Sequence, residues 1–214
     1  MKIKIKAICF DMWGTLCEGG SGKEWIELKA ILKANSVGIE TFQKQGLVSL
    51  LKKPWSLREG IRHLAQRLNL KVSDKMLEKA YKSWWGLVLK SQPYPETIDV
   101  LKRLKQKQLR LVIISNTDSE SFYFEMNRFN LHKYFEKFFL SAEIGVLKPN
   151  VKIFEAVQAY LTVPKSQVLM IDDSLYHGVL SVRKFGWQAL WVARGKDGKD
   201  KARIEDLKGI FDFL

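Results

Sequence analysis

From residue 96 onward the chain alternates compact apolar runs with helix-spaced stripes, and this grammar restricts the fold more than any other feature. Leu109 to Ile114, Val168 to Ile171 and Ala189 to Val192 are runs of 4–6 residues. They are too short for helices and lack the polar alternation of a half-exposed strand, so each reads as a strand covered on both faces. Between them, Ile98, Leu101 and Leu104, residues 119–129, and Ile153, Phe154 and Val157 fall at helical spacing. A further helix through Val179, Val182 and Phe185 ends at Gly186, a residue suited to the left-handed turn past a helix. Phe138 to Leu140 adds a short segment, and residues 3–10 a strand at the start of the chain. The pattern predicts an α/β fold, a three-layer Rossmann-like core with a mostly parallel sheet and right-handed crossovers.

Residues 24–90 break that rhythm, with no clear strand. A Gly- and Ser-rich loop over 17–23 leads to a helix from Glu24 to about Ala34, carried by Trp25, Leu28, Ile31 and Leu32. Ser56 with Glu59 forms a capping box opening a second helix, and Ser73 caps a third through Leu77, Tyr81, Trp84 and Trp85. The division that follows is a core of residues 1–16 and 93–214, interrupted after its first strand by an all-helical block over 17–92. A length of 214 residues suits one large domain carrying such an insertion. Trp25, Trp55, Trp84 and Trp85 read as packing between helices, with pocket lining as the alternative.

The formal charge is +13, from 36 basic and 23 acidic residues. The basic residues are dispersed, and the densest stretch, Arg194 to Lys208, also holds Asp197, Asp200, Glu205 and Asp206. No finger spacing, arginine-rich tail or aromatic-interleaved signature is present, so a nucleic-acid partner is not expected; a field that gathers small anions explains the charge as well. No run reaches 18 apolar residues, and Lys2, Lys4 and Lys6 run into Asp11 without a secretory apolar block, so neither a membrane span nor a signal is read. Two cysteines, Cys9 and Cys17, make no disulfide scaffold, which favours a cytoplasmic location, and Cys9 reads as a buried strand residue.

Four polar clusters stand at or near the carboxyl ends of the strands: Asp11 to Thr15, Ser115-Asn116, Lys148 and Asp172-Asp173. In an open parallel sheet, ligands bind in the crevice beyond those ends. A carboxylate there can cap the next helix, but four clusters on one rim point to a site. The set suits a displacement through a covalent intermediate, with an ionised carboxylate attacking phosphorus or an activated carbon. Lys148 and Ser115 would neutralise part of a phosphoryl charge, and Asp11 with Asp173 would hold a hard divalent ion.

These pieces resemble the haloacid dehalogenase-like hydrolase superfamily in order and spacing. They are Cys9-Phe10-Asp11-Met12-Trp13-Gly14-Thr15-Leu16, Ile114-Ser115-Asn116, Gly145-Val146-Leu147-Lys148-Pro149 and Ile171-Asp172-Asp173-Ser174, with Tyr94-Pro95-Glu96-Thr97 where the chain returns to the core. The resemblance implies that Asp11 is the nucleophile, oriented by Thr15, and that Lys148 stabilises it and the transition state. It implies that Ser115 and the Asn116 amide hold the phosphate. Asp173, Asp11 and the Trp13 carbonyl would bind Mg²⁺, with Asp172 as a second or outer carboxylate. Residues 17–92 would be a helical cap that excludes water and selects the substrate.

Two departures matter. Phosphatases of the family usually carry an aspartate acid and base two places after the nucleophile; here that place is Trp13. The later acidic position of the last motif falls at Gly178. The first departure is similar to the 2-haloacid dehalogenases, whose halide leaves without a proton. Other dehalogenase features are missing: their active-site tyrosine aligns with Phe154, there is no arginine between Asp11 and Arg58, and the Asp172-Asp173 pair replaces small polar residues. A Mg²⁺-dependent phosphatase of small anionic metabolites is therefore the leading reading. A metal-independent dehalogenase and a catalytically inactive binding protein are the alternatives. Glu18, Glu24 and His63 are candidate proton donors, His132 and His177 do not pair by spacing, and both monomer and homodimer stay open.

Overall fold

The computed structural model describes residues 4–20 and 22–214. Lys2 and the start of the strand read from residue 3 lie outside the described residues, as does Ser21 of the 17–23 loop. β1 (Ala7–Phe10) is followed by α1 (Lys23–Ile31), α2 (Ile39–Leu51), α3 (Leu57–Arg67) and α4 (Asp74–Lys90). The chain then runs α5 (Thr97–Gln106), β2 (Arg110–Ser115), α6 (Ser119–Arg128), β3 (Lys137–Leu140), α7 (Ser141–Ile144), α8 (Val151–Leu161), β4 (Val168–Asp172), α9 (Ser181–Phe185), β5 (Gln188–Val192), β6 (Arg203–Ile204) and α10 (Ile210–Phe213).

The six strands form one sheet in the order β3-β2-β1-β4-β5-β6, every pairing parallel. Successive side chains point to opposite faces. Ile8, Phe10, Leu111, Ile113, Leu169 and Ile171 join one apolar cluster with α5, α6 and α10. Ala7, Cys9, Val112, Ile114, Val168 and Met170 join the other, with α8 and α9. These are the three layers read from the doubly buried runs. The chain leaves central β1 to build β2 and β3 on one side, then crosses to β4 on the other. Phe10 stands opposite both Ile113 and Ile171, so β1, β2 and β4 end almost level. That reversal of strand order opens the crevice at their carboxyl ends.

The four helices between β1 and α5 pack into a third cluster around Trp25, Leu28, Phe42, Leu50, Ile61 and Leu64. The capping box of α3 is formed as read, with both the Ser56 side chain and the Glu59 side chain engaged. Ser73 likewise accepts from the Met76 amide at the head of α4. Two strands of chain link this block to the sheet side by side. Glu18 N donates to Gln92 O at 2.9 Å, the Ser91 hydroxyl to Glu18 O at 2.8 Å, and the Thr97 hydroxyl to Leu16 O at 2.8 Å.

Some expectations need correction. Among the described residues the β1 ladder begins at Ala7 and leaves out residues 4–6 of the strand read from the sequence, although Lys6 still bonds Gln167 and Arg110. α2, β6 and α10 were not read from the sequence. The helix read through Val179 to Phe185 is a π-helical turn, Leu175–Leu180, followed by α9, and it does end at Gly186 with φ 101°. Among the described residues no helix is long and apolar enough to cross a membrane.

Candidate active site

Asp11 is the residue after β1, Ser115 the last of β2 and Asp172 the last of β4, so the register of three adjacent strands gathers them on one rim. Lys148 arrives from the loop between α7 and α8. Its Nζ lies 2.9 Å from Asp11 Oδ1 and 2.6 Å from Asp172 Oδ2, almost wholly shielded from solvent. Asn116 clamps the backbone of Lys148, its Oδ1 accepting from Lys148 N at 2.7 Å and its Nδ2 donating to Lys148 O at 3.0 Å. Asp11, Asp172 and Asp173 each offer an oxygen, all within 4.8 Å of one another.

Burial works against the charge on Lys148, but Asp11 and Asp172 outweigh it and hold the ammonium above the ordinary lysine range. Burial pushes the Asp172 carboxyl up to about 7 although Lys148 pulls it down, and Asp11 adds to the rise. Asp173 also rises, through burial and Asp11, against the pull of Lys196. Lys196, on the loop after β5, donates to Asp173 Oδ2 at 2.5 Å and to Asp173 O at 3.1 Å. The rim thus carries three carboxylates and two ammonium groups.

The Ser115 hydroxyl is buried with no hydrogen-bond partner among the described residues, and the residue lines a cavity of about 930 Å³ over the carboxylates. An unpartnered buried hydroxyl on the lining of a cavity is free to bond a ligand that enters it. The floor holds Asp11, Ser115, Lys148, Asp172 and Asp173; the facing wall is Trp25, Leu47, Leu51, Trp84, Leu87 and Val88. Trp25 and Trp84 meet edge to face at 5.0 Å, so they both pack and line the cavity. Trp55 and Trp85 stay out of this cavity: Trp55 donates to Ser49 O and lines a separate recess, and Trp85 stacks on Tyr81 and meets Phe124 at a tilt.

Other sequence-based candidates fall out differently. Trp13 lines the cavity, and its Nε1 donates to the Thr117 hydroxyl at 3.0 Å. The fully buried Thr15 hydroxyl accepts from Asp173 N at 3.1 Å, so it fixes the β4 loop. Glu18, Glu24 and His177 stand on the cavity wall. His63 does not: it packs 4.6 Å from Trp55 in a separate small recess, which removes it as a proton donor. His132 lies in a short helical turn before β3. Phe154 is buried in the core against Phe185 and Trp187. Cys9 and Cys17 are buried free thiols.

Two residues at the rim went unread in the sequence, Lys196 and Arg194. The Arg194 guanidinium donates to Gly14 O at 3.2 Å and Thr15 O at 2.7 Å, lies 2.8 Å from Glu96, and covers the Tyr94 ring. It braces the loop that follows Asp11. Both residues open the Arg194 to Lys208 charged stretch, whose acids and bases concealed them.

The haloacid dehalogenase-like hydrolase family model matches residues 5–186. The chain is 23% identical over 202 residues to (S)-2-haloacid dehalogenase 2 of Pseudomonas sp. (strain CBS-3), covering 91% of this chain and 86% of that one. It is 25% identical over 211 residues to a glyceraldehyde 3-phosphate phosphatase of Methanopyrus kandleri, covering 94% and 90%. A HAD phosphatase from Thermococcus onnurineus superposes with a TM-score of 0.67 at 21% identity, over 98% of each chain. With the carboxylate rim at the strand ends and a family match across most of its length, the chain belongs to the haloacid dehalogenase-like hydrolases.

Proposed function

We propose that the protein is a Mg²⁺-dependent phosphatase of small anionic substrates, working through an aspartyl-phosphate on Asp11, with residues 17–92 as its cap. The observation that carries this reading is the carboxylate cluster. Three carboxyl groups crowd one rim, and the negative charge they keep would repel an entering phosphate unless a cation stood between them. The donor set fits a hard divalent cation: carboxylate oxygens of Asp11, Asp172 and Asp173 are mutually within 4.8 Å. The Trp13 carbonyl, as the family resemblance implies, would complete the protein's ligands. When bound, Mg²⁺ supplies positive charge that offsets the phosphoryl oxygens and the nucleophile.

The chain's own residues do the rest. The Asp11 carboxylate attacks phosphorus. Lys148, held by Asn116, keeps its ammonium beside Asp11 and meets the negative charge of the transition state. The orphaned Ser115 hydroxyl donates to a non-bridging oxygen. The wall contributed by α1, α2 and α4 excludes water while the bond transfers. Phosphate release from 4-nitrophenyl phosphate should require added Mg²⁺ and vanish in chelator and in Asp11→Asn.

Trp13 favours a second reading, since an aromatic residue there suits halide departure, and the Pseudomonas relative bears a dehalogenase name. Against it, Phe154 is sunk in the core rather than in the cavity. Halide release from 2-chloropropionate in the presence of chelator, with no phosphate released from the aryl ester, would replace the phosphatase reading.

A further inference from the structure

We infer that the site is built for phosphate esters of acidic, aromatic alcohols, an inference resting on the phosphatase reading above. Two independent observations converge on it. The first is what occupies the position facing a leaving group. Trp13 carries no proton to give: its only N–H is donated to Thr117, whose hydroxyl in turn donates to Asp118 O. The ring lies against Gly19, where an added Cβ would stand 2.8 Å from it, so the glycine leaves the indole its place.

The other ionisable groups on the cavity wall are engaged elsewhere or stand in solvent. Glu24 accepts from the Gly22 amide, Asp118 accepts from Ser121 N at 2.7 Å, and His177 sits 3.5 Å from the Ser174 hydroxyl. Glu18 is exposed. Among the described residues none of these is hydrogen bonded to Asp11, Ser115 or Lys148. An alkoxide is a poor leaving group and normally needs a proton as the P–O bond breaks, help that is worth about 10²- to 10⁴-fold. A phenolate, the anion of an acid near pKa 10, leaves without it.

The second observation is the wall. Trp25, Leu47, Leu51, Trp84, Leu87 and Val88 face the anionic floor across about 930 Å³, far more room than a three-carbon phosphate fills. Such a wall rewards a planar apolar body, which can lie against Trp25 and Trp84.

The reaction balances without an added co-reactant. The Asp11 carboxylate forms a bond to phosphorus as the P–O(aryl) bond breaks, and the electron pair departs on the phenolate oxygen, which takes its proton from water on release. Water then attacks phosphorus, the Asp11–phosphorus bond breaks, the carboxylate is restored, and the water's proton goes to phosphate or solvent. With no base at position 13, this second step is the slower one, so phenolate appears in a burst.

The test compares 4-nitrophenyl phosphate, phenyl phosphate, acetyl phosphate and glycerol 1-phosphate on the full chain with Mg²⁺. The expected result is a kcat/KM for glycerol 1-phosphate about 10²-fold or more below that for phenyl phosphate. In Trp13→Asp that gap should narrow about tenfold or more, through a rise on the alkyl ester. Trp84→Leu should raise KM for phenyl phosphate by a clearly larger factor than that for acetyl phosphate, which has a good leaving group but no aromatic body. Wild-type rates on the alkyl and phenyl esters within about threefold would overturn the inference while leaving a phosphatase. Equal KM changes on phenyl and acetyl phosphate in Trp84→Leu would overturn the role of the wall. No phosphate from any of the four substrates would remove the phosphatase reading and this inference with it.

Discussion

A Cβ on Gly178 would run into the Asp172 carboxyl group, and one on Gly14 into that of Asp173. Gly178 is where the family pattern has its later acid. In this chain the missing side chain leaves the room in which Asp172 reaches Lys148, so a lost acid and a buried ion pair are one feature seen twice. Lys196 is a second residue that shapes the rim, through its bond to Asp173. It is half exposed, and its bond to Asp173 competes with any cation for the same oxygen. Lys196→Ala should therefore lower the Mg²⁺ concentration for half-maximal activity, by about two- to fivefold given the modest strength of a half-exposed pair. A Mg²⁺ titration of phosphate release checks it; an unchanged or weaker response would show that the ammonium does not compete. Nothing in the sequence marks Lys196, since one lysine in a mixed-charge loop resembles the next. Asp11 and Ser115 stood out because each ends or follows an apolar run read as a strand, and Lys148 because it sits in the Gly145 to Pro149 piece that carries the family resemblance.

Among the elements, α6 carries a charge in the wrong environment. Glu125 is fully buried, neither carboxylate oxygen has a hydrogen-bond partner among the described residues, and Arg128 reaches only to 3.5 Å. Burial pushes its carboxyl from 4.5 up to about 7, with Arg128 opposing. A raised folded-state value means that the folded chain binds more protons than the unfolded one between about 4.5 and 7. Stability present below that window is lost as pH rises through it. Glu125→Gln should unfold at higher urea than wild type at pH 8, by about 1 kcal/mol or more, with the difference shrinking towards pH 5. A constant difference across pH would assign the effect to packing. The helical elements also show where pattern reading stops. The stripes of α3 and α4 were visible because apolar residues and Ser caps agree. α2 was not: its buried face includes Gly46 and Ser49 beside Phe42, Leu50 and Leu51. Gly46 is small because the Trp25 ring lies against it, a contact with another helix that no local stripe encodes.

At the scale of the whole molecule, a charge of +13 surrounds a cavity whose floor is acidic. The basic surface should gather anionic esters and speed their capture, a field effect that salt screens beyond about 8–10 Å. We expect kcat/KM for 4-nitrophenyl phosphate to fall several-fold between low and about 0.3 M salt while kcat holds; a flat profile would confine the surface charge to another role. The fold itself was legible because the sheet is buried on both faces and its strands are uninterrupted, whereas β6, two residues long, leaves too little sequence to read. The paired linkers at Glu18–Gln92 and Leu16–Thr97 have a further meaning. An insertion whose two ends leave and re-enter at neighbouring points behaves as a cassette. On the reading proposed above, a graft of its walls from a relative would have to carry the two seams and also the contacts with α6 through Glu120 and Arg128.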